Sequence, residues 1–388
     1  MLHRPFLVAG APHSRPVLPP ETLARNRALL RLARTGAAPI RLNRLLDSVP
    51  LLGDIFSLSP TQIVEIAECT PATAARILDG RWAGPDGEVE RLAAEGVQIV
   101  CRLDPDYPAL LREIYDPPPV LFVRGRLDPT PDAHFTVVGS RRCDEYGRGM
   151  TGRLVRGLVE AGFAVASGLA LGIDAAAHRA ALDAGGRTVA VLGSALDRIY
   201  PQQNQGLAEE LVTRGALISE YPPGVGPQPW RFPARNRILA GLSRGVLIVQ
   251  APVGSGSLIT ARCAGDENRE VFAVPGPVTG GRHSGCHQLI QDGARLVESV
   301  EHILSELGQY VTPGRMSRPA PPAVRPGAAL PEVETKVLAA LRAEPRHVDE
   351  LCEATGLPAS LVSGSLLVLE LQELARRLPG NLYQLPDA

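Results

Sequence analysis

The chain has 388 residues, of which 45% are hydrophobic and 4% aromatic, and its formal net charge is −1. That length exceeds one ordinary core and predicts two or three domains. The near-neutral balance excludes a protein that binds nucleic acid through bulk basicity, so any such contact has to come from local clustering.

Lys336 is the only lysine; the other 39 of the 40 basic residues are arginine. Almost every cationic contact this chain can make therefore uses a planar, permanently charged guanidinium. Six cysteines (Cys69, Cys101, Cys143, Cys263, Cys286 and Cys352) are scattered without a C-x-x-C pair. They read as free thiols. With no long apolar segment at the start and no stretch of membrane-spanning length, the expected location is cytoplasmic.

In chain order, residues 1 to about 40 open on Pro- and Arg-rich sequence that is expected to be loosely ordered at its start. From Leu42 to Leu78 the pattern is helical. Leu58-Ser59-Pro60-Thr61-Gln62 reads as a cap and first turn, and Pro71 sits early in the next helix. Residues 1–115 are expected to form an N-terminal helical domain of sterile-alpha-motif or helix-hairpin-helix type, without the tidy G-x-G hairpin that would signal DNA contact. Gly96–Val100 is a predicted strand, and Asp116-Pro117-Pro118-Pro119-Val120-Leu121-Phe122 leads into the centre. Residues 116–308 then alternate strand and helix. The strands are predicted at Phe135–Val138, Ala164–Ala166, Thr188–Leu192, Ala216–Ser219, Val246–Val249 and Val271–Val274. That alternation, with Gly at many strand ends, predicts the α/β class with a doubly wound, Rossmann-like parallel sheet. Residues 309–330, rich in Pro, Arg, Ser and Gly, read as an extended linker. Residues 331–388 read as three helices, Val333–Leu341, Val348–Ala354 and Ala359–Leu371, followed by a hairpin over Ala375–Leu385. This pattern predicts a winged helix.

Four central segments read together as one phosphate-binding surface. They are Gly139-Ser140-Arg141-Arg142, the Ser167–Asp174 loop with Gly168 and Gly172, the Phe232–Arg237 segment with Arg235, Asn236 and Arg237, and Gly254-Ser255-Gly256-Ser257. Strand-to-helix turns of Gly and Ser aim backbone N–H groups above the sheet, where the helix dipole favours an anion. Two Arg near a helix start oppose that dipole, so at least one of Arg235 and Arg237 is expected to meet a phosphate; the alternative is an Arg that braces loops against Asp or Glu. The G-x-G-x-x-G fingerprint and its ribose-binding acid are absent, which excludes a dinucleotide enzyme. Asp174 and His178 stand at i, i+4 spacing. With no nucleophile placed beside them, they read as a helix cap and a packing residue rather than a catalytic pair. Gly254–Thr260 resembles the anion loop of Rossmann-like nucleotide hydrolases, but Thr260 stands where their glutamate is expected. His283, Cys286 and His287 lack a fourth ligand and read as a surface loop.

These segments, together with Asp106-Tyr107-Pro108, Ala177-His178, Ala190-Val191-Leu192-Gly193, Tyr200-Pro201, Ser219-Glu220-Tyr221-Pro222-Pro223 and Val274-Pro275-Gly276, form an ordered series that resembles the DNA-processing protein A (DprA/Smf) family. The match is dense over about residues 95–300 and looser in the flanks. The resemblance implies a bacterial cytoplasmic protein that binds single-stranded DNA and loads RecA onto it in natural transformation. It also implies a homodimer through the central domain and no catalytic turnover; no cofactor or metal is expected. The family's anion-binding positions carry over to Gly139, Ser140, Arg141, Gly168, Arg235 and Arg237, with the Gly254–Ser257 loop beside them. Where relatives have a Gly-x-Asn-x-Leu-Ile segment this chain has Gly285-Cys286-His287-Gln288-Leu289-Ile290, which leaves Leu289 and Ile290 as candidate dimer contacts. A nucleotide phosphoribohydrolase is the rival reading. Tyr146 and Phe232 are the candidates for an occasional base stack. From Pro331 onward five basic residues face nine acidic ones, a net of −4, and Ala359–Leu371 has no Lys or Arg. The winged helix is therefore expected to meet protein rather than read a duplex, with Arg376 and Arg377 the residues available for a phosphate.

Overall fold

Short apolar runs bounded by Gly and polar turns make most of the sheet: the strands His134–Val138, Ala164–Ser167, Thr188–Val191, Ala216–Ser219 and Gly245–Ile248 are buried along their whole length, as strands covered on both faces must be. The computed structural model describes residues 18–79, 84–85, 87–128, 134–307, 332–342, 344–371, 374–378 and 381–385. The expected linker at 309–330 and the opening Pro/Arg-rich stretch lie outside these, apart from residues 18 onward. Contacts divide the chain into two units, residues 1–319 and 320–388.

The first unit begins with α1 (Pro20–Arg34), α2 (Pro39–Ser48), α3 (Pro60–Ala67), α4 (Pro71–Leu78) and α5 (Glu88–Ala94). α3 starts where the sequence predicts. The Ser59 hydroxyl accepts from Gln62 N (3.3 Å), the Gln62 side chain accepts from Ser59 N (2.8 Å), and Pro60 occupies the first turn. The chain continues through β1 (Val97–Cys101), α6 (Ala109–Arg112), β2 (Val120–Gly125), β3 (His134–Val138), α7 (Glu145–Glu160), β4 (Ala164–Ser167), α8 (Ile173–Asp183) and β5 (Thr188–Val191). Then follow α9 (Gln205–Arg214), β6 (Ala216–Ser219), α10 (Arg231–Gly241), β7 (Gly245–Ile248), α11 (Gly256–Asp266), β8 (Glu270–Ala273), α12 (Ser284–Gln291), β9 (Arg295–Leu296) and α13 (Val300–Leu307).

The sheet order is β1-β2-β6-β5-β4-β3-β7-β8-β9. β6 through β9 in that order are parallel, whereas β1 and β2 run antiparallel at one edge. β2 goes beyond the expected strands: the Pro-rich Asp116–Phe122 segment reads in the sequence only as a lead into the centre, yet Phe122–Gly125 pairs with Ala216–Ser219. Leu154 and Leu158 of α7 and Ala177 and Ala181 of α8 pack with Phe135, Phe163 and Phe272 on one face; Ile238 of α10 and Ala261 of α11 pack on the other. The winding changes direction between β3 and β7, so the crevice at their carboxyl ends is where a ligand is expected. The apolar core of α1 to α5 is continuous with Val97, Ile99, Phe122, Leu192 and Leu217 of the sheet, so it runs across residue 115.

The second unit is α14 (Glu332–Ala340), β10 (Arg346–His347), α15 (Val348–Thr355), α16 (Ala359–Leu371), β11 (Arg376–Leu378) and β12 (Leu382–Gln384), with sheet order β10-β12-β11. The two-residue β10 turns the expected hairpin into a three-stranded wing, and Val337, Leu351, Val362, Leu366 and Tyr383 form its core.

His178 belongs to the core and not to a site. It is fully buried, its Nδ1–H donates to Thr188 Oγ1 (2.6 Å), and that hydroxyl donates to Val165 O (2.7 Å). Burial, reinforced by the Arg235 charge, lowers its pKa to about 3. The unfolded chain takes up a proton below about 6.5, and the folded chain does not until about 3. Stability is therefore lost as pH falls through that window, by about 1.4 kcal/mol per pH unit. Denaturant unfolding of wild type and His178→Asn between pH 7 and pH 4.5 is expected to show this slope as a shrinking difference between the two proteins; parallel pH profiles would contradict a neutral buried His178.

Candidate nucleic-acid interface

The loops after β3, β4 and β7 and the first turn of α10 surround one cleft of about 740 Å3. Gly139, Ser140, Arg141, Arg142, Asn236 and Gly254 through Ser257 all line it, so most of the sequence-predicted positions come together. Tyr200 and Arg282 also line it. Sequence reasoning did not place these two, because each lies far along the chain from the Gly-rich loops it faces.

Backbone bonds hold the β3 loop. Ser140 N donates to Gln250 O (2.6 Å), Ile173 N donates to Ser140 O (3.1 Å), and Arg142 N donates to the Ser140 hydroxyl (3.1 Å). Asp144 then caps α7 through Gly147 N (3.0 Å). The Arg141 and Arg142 side chains are left without an ion-pair partner among the described residues. The Arg141 guanidinium lies 5.5 Å from the centre of the Phe232 ring, which in turn sits 5.6 Å from Tyr200. On the opposite wall Ser255 caps α11, its hydroxyl accepting from Ser257 N (3.4 Å). Asn236 donates to Gly256 O (3.2 Å) and ties α10 to that turn. Gly254 and Gly256 N–H have no acceptor among the described residues and stand at the N-terminus of an eleven-residue helix, where an anion is favoured.

The β4 loop works differently from expectation. Asp174, only 5% exposed, accepts from Gly168 N (3.1 Å), and the Gly139 and Ala170 amides also favour its charged form. An internal carboxylate thus takes donors that the Gly-rich pattern alone would assign to a ligand. Burial raises the Asp174 pKa, against the pull of Arg235 and these amides. Gly168 and Gly172 serve close packing. A Cβ on Gly168 would stand 2.7 Å from the Arg235 guanidinium carbon. Gly172 has φ 80°, and a Cβ there would meet the Ser140 carbonyl and come 2.7 Å from the Arg141 carbonyl.

Arg235 and Arg237 divide into floor and brace. Arg235 is 4% exposed and donates to Gly168 O (2.9 Å) and to Val191 O; burial lowers its pKa to about 10, with Asp174 opposing. Arg237 leaves the cleft altogether. It forms a fork with Glu220 (3.0 and 2.6 Å) and donates to Asp116 O (3.0 Å), the bracing alternative. Thr260 is buried in the cleft wall at the position where a hydrolase acid would stand. His283, Cys286 and His287 go to separate partners: Gln250, Ile248 O and Gly276 O. Tyr146 donates its hydroxyl to Pro275 O (2.8 Å) and keeps its ring 42% exposed.

The family model for DNA recombination-mediator protein A matches residues 98–308, more than half of the chain, and the DprA winged-helix model matches residues 320–381. Protein Smf of Synechocystis is 37% identical over 380 residues, covering 90% of this chain and 96% of its own. DNA processing protein DprA of Streptococcus pneumoniae is 48% identical over 204 residues, 53% of this chain and 72% of that protein. The solved structure of the S. pneumoniae protein superposes with a TM-score of 0.63 at 39% identity, over 72% of this chain and 97% of that one. DNA processing protein A from Helicobacter pylori, whose structure describes a single-stranded DNA binding mode, gives a TM-score of 0.50 at 29% identity, over 56% of this chain and 97% of that one. With these matches and the shared architecture, the chain belongs to the DNA recombination-mediator protein A (DprA/Smf) family.

Proposed function

We propose that this protein grips the phosphates of single-stranded DNA in the β3–β7 cleft and presents the strand to the RecA recombinase during natural transformation, acting as a homodimer without catalytic turnover. The observation that carries the reading is the pairing of the Arg141 guanidinium, which has no acidic partner among the described residues, with the open N-terminus of α11 across one cleft. The single-strand binding described for the H. pylori relative supports it. The RecA step and the setting in transformation rest on the family resemblance. Phosphate contacts carry no base information, so sequence preference is weak. A phosphoribohydrolase is disfavoured. Thr260 offers no carboxyl, and Asp174, the acid in the cleft wall, is spent on backbone amides. For the dimer, Leu289 and Ile290 of α12 are half-buried and neighbour the edge strand β9, whose Leu296 is exposed.

Three measurements test this. If about 3 to 5 phosphates are held per protomer, log K falls with log salt at a slope of roughly −2 to −3.5. An affinity for oligo(dT) that does not change with salt would remove phosphate gripping as the mode. Arg141→Ala is expected to lower that affinity about 10- to 100-fold, the loss of a charge-assisted hydrogen bond, with thermal unfolding unchanged; a folded variant that binds like wild type takes Arg141 out of the site. In sedimentation velocity, Ile290→Glu is expected to shift the protein to monomers while its circular dichroism is retained. A dimer that persists in that variant places the contact elsewhere.

A further inference from the structure

The outer face of α7 carries charge that neither the core nor the cleft uses. Arg148, Arg153 and Arg156 are exposed there, and the 3.6-residue period puts Gly149 and Gly152 on the same face between them. α7 contains four glycines, and two have a packing reason. A Cβ on Gly147 would stand 3.0 Å from the Gln250 side chain, and one on Gly157 would stand 2.7 Å from Val300. At Gly149 and Gly152 a Cβ would meet nothing within 4 Å. Each interior helix glycine costs roughly 1 kcal/mol relative to alanine, so nothing inside this unit accounts for these two.

The charged neighbours favour an anion. Arg148 donates to Cys143 O (3.0 Å), immediately after Arg142 in the cleft wall, so the basic face begins where the cleft ends. Arg153 donates to Glu298 O, and Arg156 has no hydrogen-bond or ion-pair partner among the described residues. Of the carboxylates near this surface, Asp144 is occupied in capping, Glu145 and Glu160 stand in the first and last turns, and Glu298 and Glu301 lie beside Arg153, away from Arg148 and Arg156. Its one large exposed ring is Tyr146, a heptad before Arg153 at the edge of the face, with its hydroxyl tied to Pro275 O.

We infer that a single strand leaving the cleft continues down α7, its phosphates held by Arg148 and Arg156 and its spine lying close to the helix backbone where Gly149 and Gly152 lack side chains. From Arg148 to Arg156 the track extends about 12 Å. This inference rests on the cleft reading and extends it. It assigns the longer strand a second contact that a short one never reaches.

The test compares a tetranucleotide with an oligomer of roughly 15 nucleotides, by competition against a labelled strand at several salt concentrations. Arg148→Ala with Arg156→Ala is expected to weaken the long oligomer about 10-fold at low salt and to flatten its salt slope by about 1.4. Tetranucleotide binding is expected to stay within about twofold of wild type. Gly149→Ala with Gly152→Ala is expected to raise the unfolding midpoint and yet weaken the long oligomer, a pair of opposite signs that damage to the fold does not produce. Long-oligomer affinity and slope equal to wild type in the arginine variant would overturn the track and leave the cleft standing. An equal loss for both lengths would also overturn it. Failure of wild type to bind either length would overturn the cleft reading first, and the track with it.

Discussion

Two buried groups of opposite charge beneath the glycine loops set the shape of the cleft. Arg235 fastens the carbonyls of Gly168 and Val191, and Asp174 gathers amides from the β3 and β4 loops. Each group is nearly removed from water, so each has to find its hydrogen bonds inside the protein; an orphaned buried partner costs about 1–3 kcal/mol. The loops are thus held in one conformation before any ligand arrives, and a preorganised site spends less of its binding energy on ordering. The donors left facing the cleft are those this internal arrangement does not consume, at Arg141, Arg142 and the start of α11.

Much of this was legible in the sequence because the relevant signals are local. Six sheet strands fall within a residue or so of where β-branched runs and flanking glycines predict them, and Ser59, Pro60 and Gln62 announce the start of α3. The elements that escaped are of another kind. β2 follows three prolines and is specified by its partner β6, and β10 is two residues held by β12. The sequence alone leaves open whether Arg237 meets a phosphate or a carboxylate, because Glu220 lies on a different loop. Gly-rich turns reveal that backbone amides are free of helix and sheet bonds. They do not reveal whether a carboxylate from the next helix has already claimed them, as Asp174 has at Gly168.

Charge is distributed in the same local manner. The whole chain is near neutral, and many of its arginines, such as Arg34, Arg102, Arg187 and Arg237, are paired with acids inside the first unit. Such pairs brace the fold and leave little field outside it. Residues 331–388 carry net negative charge, and α16 has no cationic side chain with which to enter a major groove. Arg141 and Arg142 at the carboxyl end of the central sheet, and Arg156 on the outer face of α7, have no acidic partner among the described residues.

The almost complete replacement of lysine by arginine also decides which chemistry can report on this molecule. Lys336, on α14, is the one side-chain primary amine in the sequence. Succinimidyl dyes, formaldehyde bridges and acetyl donors therefore find no lysine to modify anywhere in residues 1–319, the cleft and α7 included. A fluorophore attached through Lys336 leaves every guanidinium intact, and glyoxal-type reagents, which attack guanidinium groups, become the selective footprinting probe for the strand's path.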